Sequence, residues 1–207
     1  MYDRQTGSLW SQLLGEAVEG ELLGTELTYV PSQMTTWADW KAQHPDTQAL
    51  VKGGFRTDPY TSYYQSGAAG VIGETFQDDR LNTKQFVIGV EDSGEAIAFP
   101  FSVLNDEPLV NYQVGSLDIL VVFNAESGAG LVFDRDVDGR TLTFSHLSDQ
   151  ALVDDETRTT WDAFTGRALD GPLAGNVLSR VKSTSSFWFG WKDFFPGTEV
   201  YGLPEGD

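Results

Sequence analysis

The 207 residues carry 31 Asp and Glu against 13 Lys and Arg, a formal charge of −18. A field of that sign repels phosphate backbones and anionic lipid, so neither nucleic acid nor insertion into a membrane is expected. With no cysteine, the chain has no disulfide, no thiolate metal ligand and no cysteine nucleophile.

Apolar residues make up 40% of the chain, with 13 Phe, 7 Tyr and 6 Trp, which suffices for a packed core. Lysine is confined to Lys41, Lys52, Lys84, Lys182 and Lys192. Excess carboxylate with little lysine suits a protein working in high salt, where counterions screen self-repulsion; an acidic protein from dilute water is the competing reading. Met1-Tyr2-Asp3-Arg4 has neither the basic flank nor the apolar stretch of a signal peptide.

In chain order, a strand-like start leads to Trp10, and Gly15, Gly20 and Gly24 then punctuate a stretch that must turn repeatedly. A short strand is expected over Leu27 to Val30. A helix follows from Thr36 to His44, with Thr35 as its N-cap and Pro45 as its stop. Trp37 and Trp40, three apart, share one helix face, which suits pinning the helix to a sheet; a sugar-stacking platform is the alternative. From Lys52 to Asp79 the chain is rich in Gly, Ser and Tyr and reads as a long connection. Tyr60, Tyr63 and Tyr64 either pack this loop down or line a groove.

A β-rich block runs from about Gln85 to His146. Strands are expected at 86–90, 96–101, 109–114, 117–123, 130–136 and 140–146. Leu117 to Phe123 is the longest apolar run, far too short to span a bilayer, and reads as a buried strand.

Beyond this block the opening pattern returns. A shift of 151 positions places Trp10 on Trp161, Gly15 on Gly166, Gly20 on Gly171 and Gly24 on Gly175 without a gap. Trp37, Trp40, Lys41, Pro45 and Thr47 fall on Trp188, Trp191, Lys192, Pro196 and Thr198. These are structurally demanding residues, and their shared frame reads as a duplication. The second copy is expected to have a strand at Leu178 to Val181 and a helix from Phe187 to Phe195 capped by Ser186. Segments 8–48 and 159–199 should then share one strand–turn–strand–helix unit, with Trp10 and Trp161 equally buried.

Asp134-Arg135-Asp136-Val137-Asp138-Gly139 matches the first half of a calcium loop, making Asp134, Asp136 and Asp138 the candidate metal ligands. The loop's twelfth position is Ser145 where a bidentate Glu is needed, and both flanks are strand-like. Asp138-Gly139 is also a preferred centre for a two-residue hairpin turn, in which Val137 would face Arg140 and Phe133 would face Phe144. The hairpin is the preferred reading and calcium the alternative. A Ser-His-Asp triad would have to use His44 or His146. Ser127, in Glu126-Ser127-Gly128, comes nearest to a nucleophile elbow but follows Ala125 where Gly is required.

Several motifs together resemble a prokaryotic domain-of-unknown-function family, number 3179. They are the opening Met1-Tyr2-Asp3-Arg4-Gln5-Thr6-Gly7-Ser8-Leu9-Trp10-Ser11-Gln12, His44-Pro45-Asp46-Thr47, Asp78-Asp79-Arg80-Leu81, Phe133-Asp134-Arg135 with Val137-Asp138-Gly139-Arg140, and Gly171-Pro172-Leu173-Ala174-Gly175. The resemblance covers nearly the whole chain and brings no assigned activity. It implies an exported or envelope protein, frequent in archaea including salt-loving ones. It also implies that family members begin well upstream, with a Cys-Pro-x-Cys element and a Trp-His-Glu element, so this chain is expected to be truncated at its N-terminus. The positions matching the two cysteines and the histidine are Asn124, Ser127 and Glu107, and the family's second His-Pro is Phe195-Pro196.

The expected fold is α+β, mainly antiparallel β with short helices, from an internally duplicated unit whose first copy is incomplete. Residues 1–50 form the first, partial copy, 51–84 a connection, and 85–207 the second copy with its β-block. The expected function is an acidic extracytoplasmic binding or structural module, with a small-molecule or carbohydrate ligand left unspecified. A hydrolase or metal-dependent enzyme with a site between the copies, using His44 and Asp46 with Glu107 or Asp134, is the alternative. An incomplete first copy would leave an open edge, so self-association through the N-terminal half is also expected.

Overall fold

Two short antiparallel strands, β1 (Leu9–Ser11) and β2 (Glu16–Glu19), open the chain; the turn between them closes at Gly15, whose φ of +76° favours glycine. The computed structural model describes residues 1–51, 54, 60–70, 73–148 and 150–203. It separates into two units, Met1–Ser32 and Gln33–Asp207. In the first unit, Trp10 pairs with Ala17, and the Trp10 indole donates to Asp3 Oδ2 at 3.0 Å. The Thr6 amide and hydroxyl donate to the same carboxylate, each at 2.7 Å. Residues 27–30 do not form the expected strand, because only an isolated bridge, Glu16 to Glu26, fixes the chain before them.

The second unit contains α1 (Trp37–Gln43), α2 (Thr61–Gln65), β3 (Phe86–Asp92), β4 (Glu95–Pro100), α3 (Phe101–Leu104), β5 (Leu109–Val114), β6 (Leu117–Asn124) and β7 (Ala129–Asp134). After these come β8 (Asp136–Val137), β9 (Arg140–Thr141), β10 (Phe144–Ser148), β11 (Ala151–Asp154), β12 (Thr160–Asp162) and β13 (Ala168–Asp170). The last elements are β14 (Thr184–Phe187), α4 (Trp188–Phe194) and β15 (Glu199–Val200). Pairing is antiparallel except where β15 runs parallel to β4. This is the expected α+β class: mostly antiparallel sheets with a few short helices. Among the described residues no helix is long and apolar enough to cross a membrane.

The apolar run in β6 is explained by burial on both faces. Ile119, Val121 and Phe123 join one core with residues of β3 and β4, including Ile88, Val90, Ile97 and Phe99. Leu120 and Val122 point the other way, into a second core with Phe144, Leu152, Trp161 and Ala168. Successive side chains of a strand alternate between faces, so a strand buried on both must be apolar throughout. The sheet β5-β6-β7 is therefore the middle layer. The sheet β14-β3-β4-β15 covers one face, and β10-β11-β12-β13 the other.

α4 lies against β3. A Cβ on Gly89 would come within 2.3 Å of the Trp191 ring, so glycine is required there for the helix to seat. The Trp188 indole donates to the Asp78 carbonyl at 3.0 Å, and Trp191 to Thr198 Oγ1 at 2.9 Å. Lys192, only 2% exposed, pairs with Glu74 at 3.0 Å and donates to the Phe76 carbonyl.

The helix caps sit one residue from where they were expected. Thr36, not Thr35, caps α1, accepting from the Asp39 amide at 3.1 Å. Ser186 is no cap: it pairs with Val87 inside β14, and Phe187 precedes α4 without a side-chain bond. Residues 178–181 are not a regular strand either, but an extended segment bridged to β7 at Phe133. Part of the long connection (52, 53, 55–59, 71 and 72) lies outside the described residues. In the part described, α2 places Tyr63 and Tyr64 beside Phe187, each ring 6.3 Å away, while Tyr60 is exposed.

The structure repeats several local bonds at the 151-residue spacing. Trp161 pairs with Ala168 and donates to Asp154 Oδ2 at 2.9 Å, as Trp10 does with Ala17 and Asp3. A Cβ on Gly20 would lie 2.7 Å from Ser8 Cα, and one on Gly171 would lie 2.7 Å from Thr159 Cα. Trp40 donates to Thr47 Oγ1 at 2.9 Å, as Trp191 does to Thr198. Burial is not shared: Trp161 and Trp188 are 0% exposed, whereas Trp10 is half-buried and Trp37 is 49% exposed. The expected equality of Trp10 and Trp161 fails because only Trp161 faces a second sheet, joining the core shared with β6 and β7.

Candidate functional site

A candidate site is a groove of about 570 Å³ in the second unit. Asp39, Ala42 and Gln43 of α1 form part of its wall, with Gln33 and Thr35 just before the helix. The β6–β7 turn contributes Asn124, Glu126 and Ser127, and the segment after α3 contributes Asn105 and Pro108. His146 and Asp162 come from the outer sheet and Gln150 from the turn between β10 and β11, with Phe123 and Phe164 as apolar surface.

Several of these polar groups are held by local turns. Asn124 Oδ1 accepts from the Ser127 amide at 2.9 Å and its hydroxyl at 3.1 Å. Asp162 Oδ1 accepts from the amides of Phe164 (3.1 Å) and Thr165 (2.7 Å) and from the Thr165 hydroxyl (2.7 Å). Asp39 Oδ2 accepts from Thr36 Oγ1 at 2.6 Å. The lining holds three carboxylates and no lysine or arginine, so it disfavours anions. Besides Asn124, its carboxamides (Gln33, Gln43, Asn105 and Gln150) each offer both donors and acceptors, the pattern that matches a hydroxyl.

Of the residues that the sequence offers for catalysis, His44, Asp46 and Glu107 do not line the groove. His44 is the exposed C-cap of α1, with its ring 4.2 Å from that of Trp40 and its amide bonded to the Trp40 carbonyl. Asp46 is exposed in the turn that the Thr47 amide closes onto the His44 carbonyl. Glu107 follows α3 and bonds Tyr201, whose hydroxyl is pushed up to about 12, first by burial and then by that carboxylate. Ser127 and His146 share the groove, but the Ser127 hydroxyl donates to Asn124.

The Asp134–Gly139 segment is a hairpin. Val137 faces Arg140, and Asp138 and Gly139 have φ of +55° and +76°, as a two-residue turn of this kind demands. Asp134 accepts from the Asp136 amide at 2.8 Å, and Asp136 from the Gly139 amide at 2.9 Å. Among the described residues no group of three or more His, Asp and Glu is placed to hold a metal ion. Phe133 does not face Phe144, contrary to the expected register. Phe133 pairs with Leu120 and Phe144 with Asp154, because Asn111 takes both the amide and the carbonyl of Phe144 at 2.8 Å and draws the strand away.

Arg135, 9% exposed, anchors the base of this ribbon. It donates to the Leu142 and Tyr112 carbonyls and pairs with Asp118 at 3.2 Å. Asp78 is held below the usual carboxylate range, chiefly by the side chain of Arg80, and Asp92 by the Ser116 amide. Both are framework contacts of half-buried residues that do not line the groove. The groove itself was not legible in the sequence, since its carboxamides form no motif and come from distant segments. The one hint was the pair Asn124 and Ser127.

These features define an α+β protein of layered antiparallel sheets with a polar groove beside the β6–β7 turn. The chain belongs to the family described as protein of unknown function, DUF3179, which matches residues 1–198. No curated protein and no solved structure matches the chain.

Proposed function

We propose that the chain is a non-enzymatic, extracytoplasmic binding module that holds a small, uncharged, polyhydroxylated molecule in the groove between α1 and the β6–β7 turn. The observation that carries this reading is the composition of the groove, carboxamides and two phenyl rings with no cationic side chain. Sugars and polyols are bound by such mixtures: planar amides satisfy hydroxyls while aromatic faces cover the C–H surface. A nucleophile bonded to a base would favour hydrolysis, but the Ser127 hydroxyl is committed to Asn124.

Two further parts of the reading concern origin and setting. The chain is built from two copies of one unit, supported by the shared register and the shared Trp–Asp and Trp–Thr bonds 151 residues apart. It is adapted to high salt, supported by its charge of −18.

The test is an NMR titration of isotopically labelled protein with glucose, trehalose and glycerol up to about 10 mM, the weak end of specific binding. Saturable shifts at the Gln43, Asn105 and Gln150 side-chain amides are expected. Asn105→Ala and Gln150→Ala should each weaken binding by about 3–10-fold, the equivalent of one hydrogen bond. Absence of saturable shifts for all three compounds, or shifts unaffected by both substitutions, refutes the reading.

A further inference from the structure

At Phe144, where β10 begins, the outer sheet is clipped to the middle one. The Asn111 side chain of β5 accepts from the Phe144 amide and donates to its carbonyl, each at 2.8 Å. Two residues on, His146 lines the groove, together with Asn105 and Pro108 from the segment that leads into β5. β10 is an edge strand, paired only with β11. In an antiparallel ladder alternate residues turn their amide and carbonyl toward the partner, and the residues between them turn theirs away. Two sets of bonds fix which residues do which. The Asp155 amide donates to the Thr143 carbonyl at 2.9 Å, so the odd-numbered residues face β11, while Asn111 holds Phe144 from the opposite side. The register is regular from Phe144 opposite Asp154 to His146 opposite Leu152 and slips only beyond His146. His146 therefore directs its amide and carbonyl away from β11, to the same side as those of Phe144. Among the described residues nothing bonds either group.

We propose, building on the polyol reading of the groove, that this main-chain pair orients the ligand and selects a vicinal diol. One hydroxyl accepts from the His146 amide while the hydroxyl on the neighbouring carbon donates to the His146 carbonyl. Asn111 supplies the template: its carboxamide sets an acceptor beside a donor and so fills the pair at Phe144. The open pair two residues on needs the same combination. Hydroxyls both donate and accept, so two of them side by side provide it. A carboxylate cannot donate to the carbonyl, and an ammonium group cannot accept from the amide, so the pair disfavours both charged classes. An extended peptide is disfavoured for a different reason. Strand addition needs a run of such pairs, but Asn111 occupies the pair before His146 and the register slip ends the ladder after it. A single open pair is the footprint of a small molecule.

The test is an NMR titration of the intact, isotopically labelled chain, read at the His146 main-chain amide. The probes are myo-inositol, whose hydroxyls are all vicinal, and the all-cis cyclohexanetriol whose hydroxyls stand only on alternate carbons. myo-Inositol should shift the amide saturably, and the triol should bind at least about fivefold more weakly, since it can make only one of the two bonds. His146→Ala and His146→Pro both lack the imidazole, but only proline lacks the amide hydrogen, and an edge strand tolerates proline where that hydrogen points outward. His146→Pro should therefore bind myo-inositol about 3–10-fold more weakly than His146→Ala, the equivalent of one hydrogen bond. If the proline variant does not fold, the wild-type amide shift decides. Equal binding of the two cyclic polyols overturns the proposal while leaving the polyol reading intact. So does a stationary His146 amide while the side-chain amides of Gln43, Asn105 and Gln150 shift. Preference for N-acetylglycinamide over myo-inositol overturns the diol in favour of a peptide group, and the absence of any saturable shift overturns both readings.

Discussion

Asp154→Ala is the sharpest test of how the outer sheet is held. The Asp154 carboxylate is fully buried and accepts from the Thr157 amide (2.5 Å), the Thr157 hydroxyl (2.9 Å), the Thr159 amide (3.1 Å) and the Trp161 indole (2.9 Å). Thr159 and Trp161 are both 0% exposed, so water cannot replace the lost acceptor at either. Each buried donor left unsatisfied costs about 1–3 kcal/mol, giving a loss of about 3–5 kcal/mol and a melting temperature lower by roughly 10 °C. Asp3→Ala removes the same kind of acceptor from Thr6 and Trp10, but those groups are only half-buried and water can reach them. Its loss should be about 1 kcal/mol.

The pH dependence has a definite sign. Burial pushes the Asp154 carboxyl up, and the bonds from Trp161, Thr157 and Thr159 together outweigh it, so the group ends below its ordinary value of 3.8. A folded value below the unfolded one makes its stabilisation complete above about pH 4 and drains it as the pH falls through the folded value. The gap between wild type and Asp154→Ala, measured by calorimetry, should therefore narrow on acidification below about pH 4. Equal losses for Asp3→Ala and Asp154→Ala, or a gap that widens in acid, would refute the reasoning.

Gly89→Ala forces a Cβ to 2.3 Å from the Trp191 ring and should cost about 3 kcal/mol by urea denaturation; a cost under about 1 kcal/mol would mean that α4 does not pack on β3 as described. Gly139→Val should destabilise by about 1–2 kcal/mol, equally with and without calcium, because a β-branched residue resists a φ of +76°. Saturable micromolar calcium binding in calorimetric titration, abolished by Asp136→Ala, would instead establish a metal loop. With a charge of −18, the melting temperature should climb steadily from dilute buffer to molar KCl, and a flat response would remove the salt-adapted reading.

How much the sequence disclosed depended on whether local rules decided the outcome. The strand at Leu109–Val114 begins and ends where alternation and turn residues place it, and Leu117–Asn124 exceeds its expectation by one residue. Asp138-Gly139 specifies its own turn, so Val137 and Arg140 were paired correctly. Four residues further on the same reasoning failed at Phe144, where a side chain remote in sequence, Asn111, sets the register. β14 was missed for a related reason. Thr184-Ser185-Ser186 has no apolar alternation and becomes a strand only because β3 offers an edge. The cap at Thr36 was missed by one residue, the usual uncertainty when two threonines adjoin. The groove escaped altogether: Gln43, Asn105 and Gln150 are unremarkable one by one and acquire meaning only from being brought together.

The sheet β14-β3-β4-β15 has a consequence for how the protein is made. Its central hairpin is complete by Pro100, yet both of its neighbours come from the end of the chain, Thr184–Phe187 on one side and Glu199–Val200 on the other. During synthesis that hairpin must wait, with two open edges, while about a hundred residues follow, a delay of roughly 5–20 seconds at ordinary translation rates. Contacts of such long sequence separation also slow folding once the chain is released. The last strands to emerge are thus the ones that end the exposure of the first sheet.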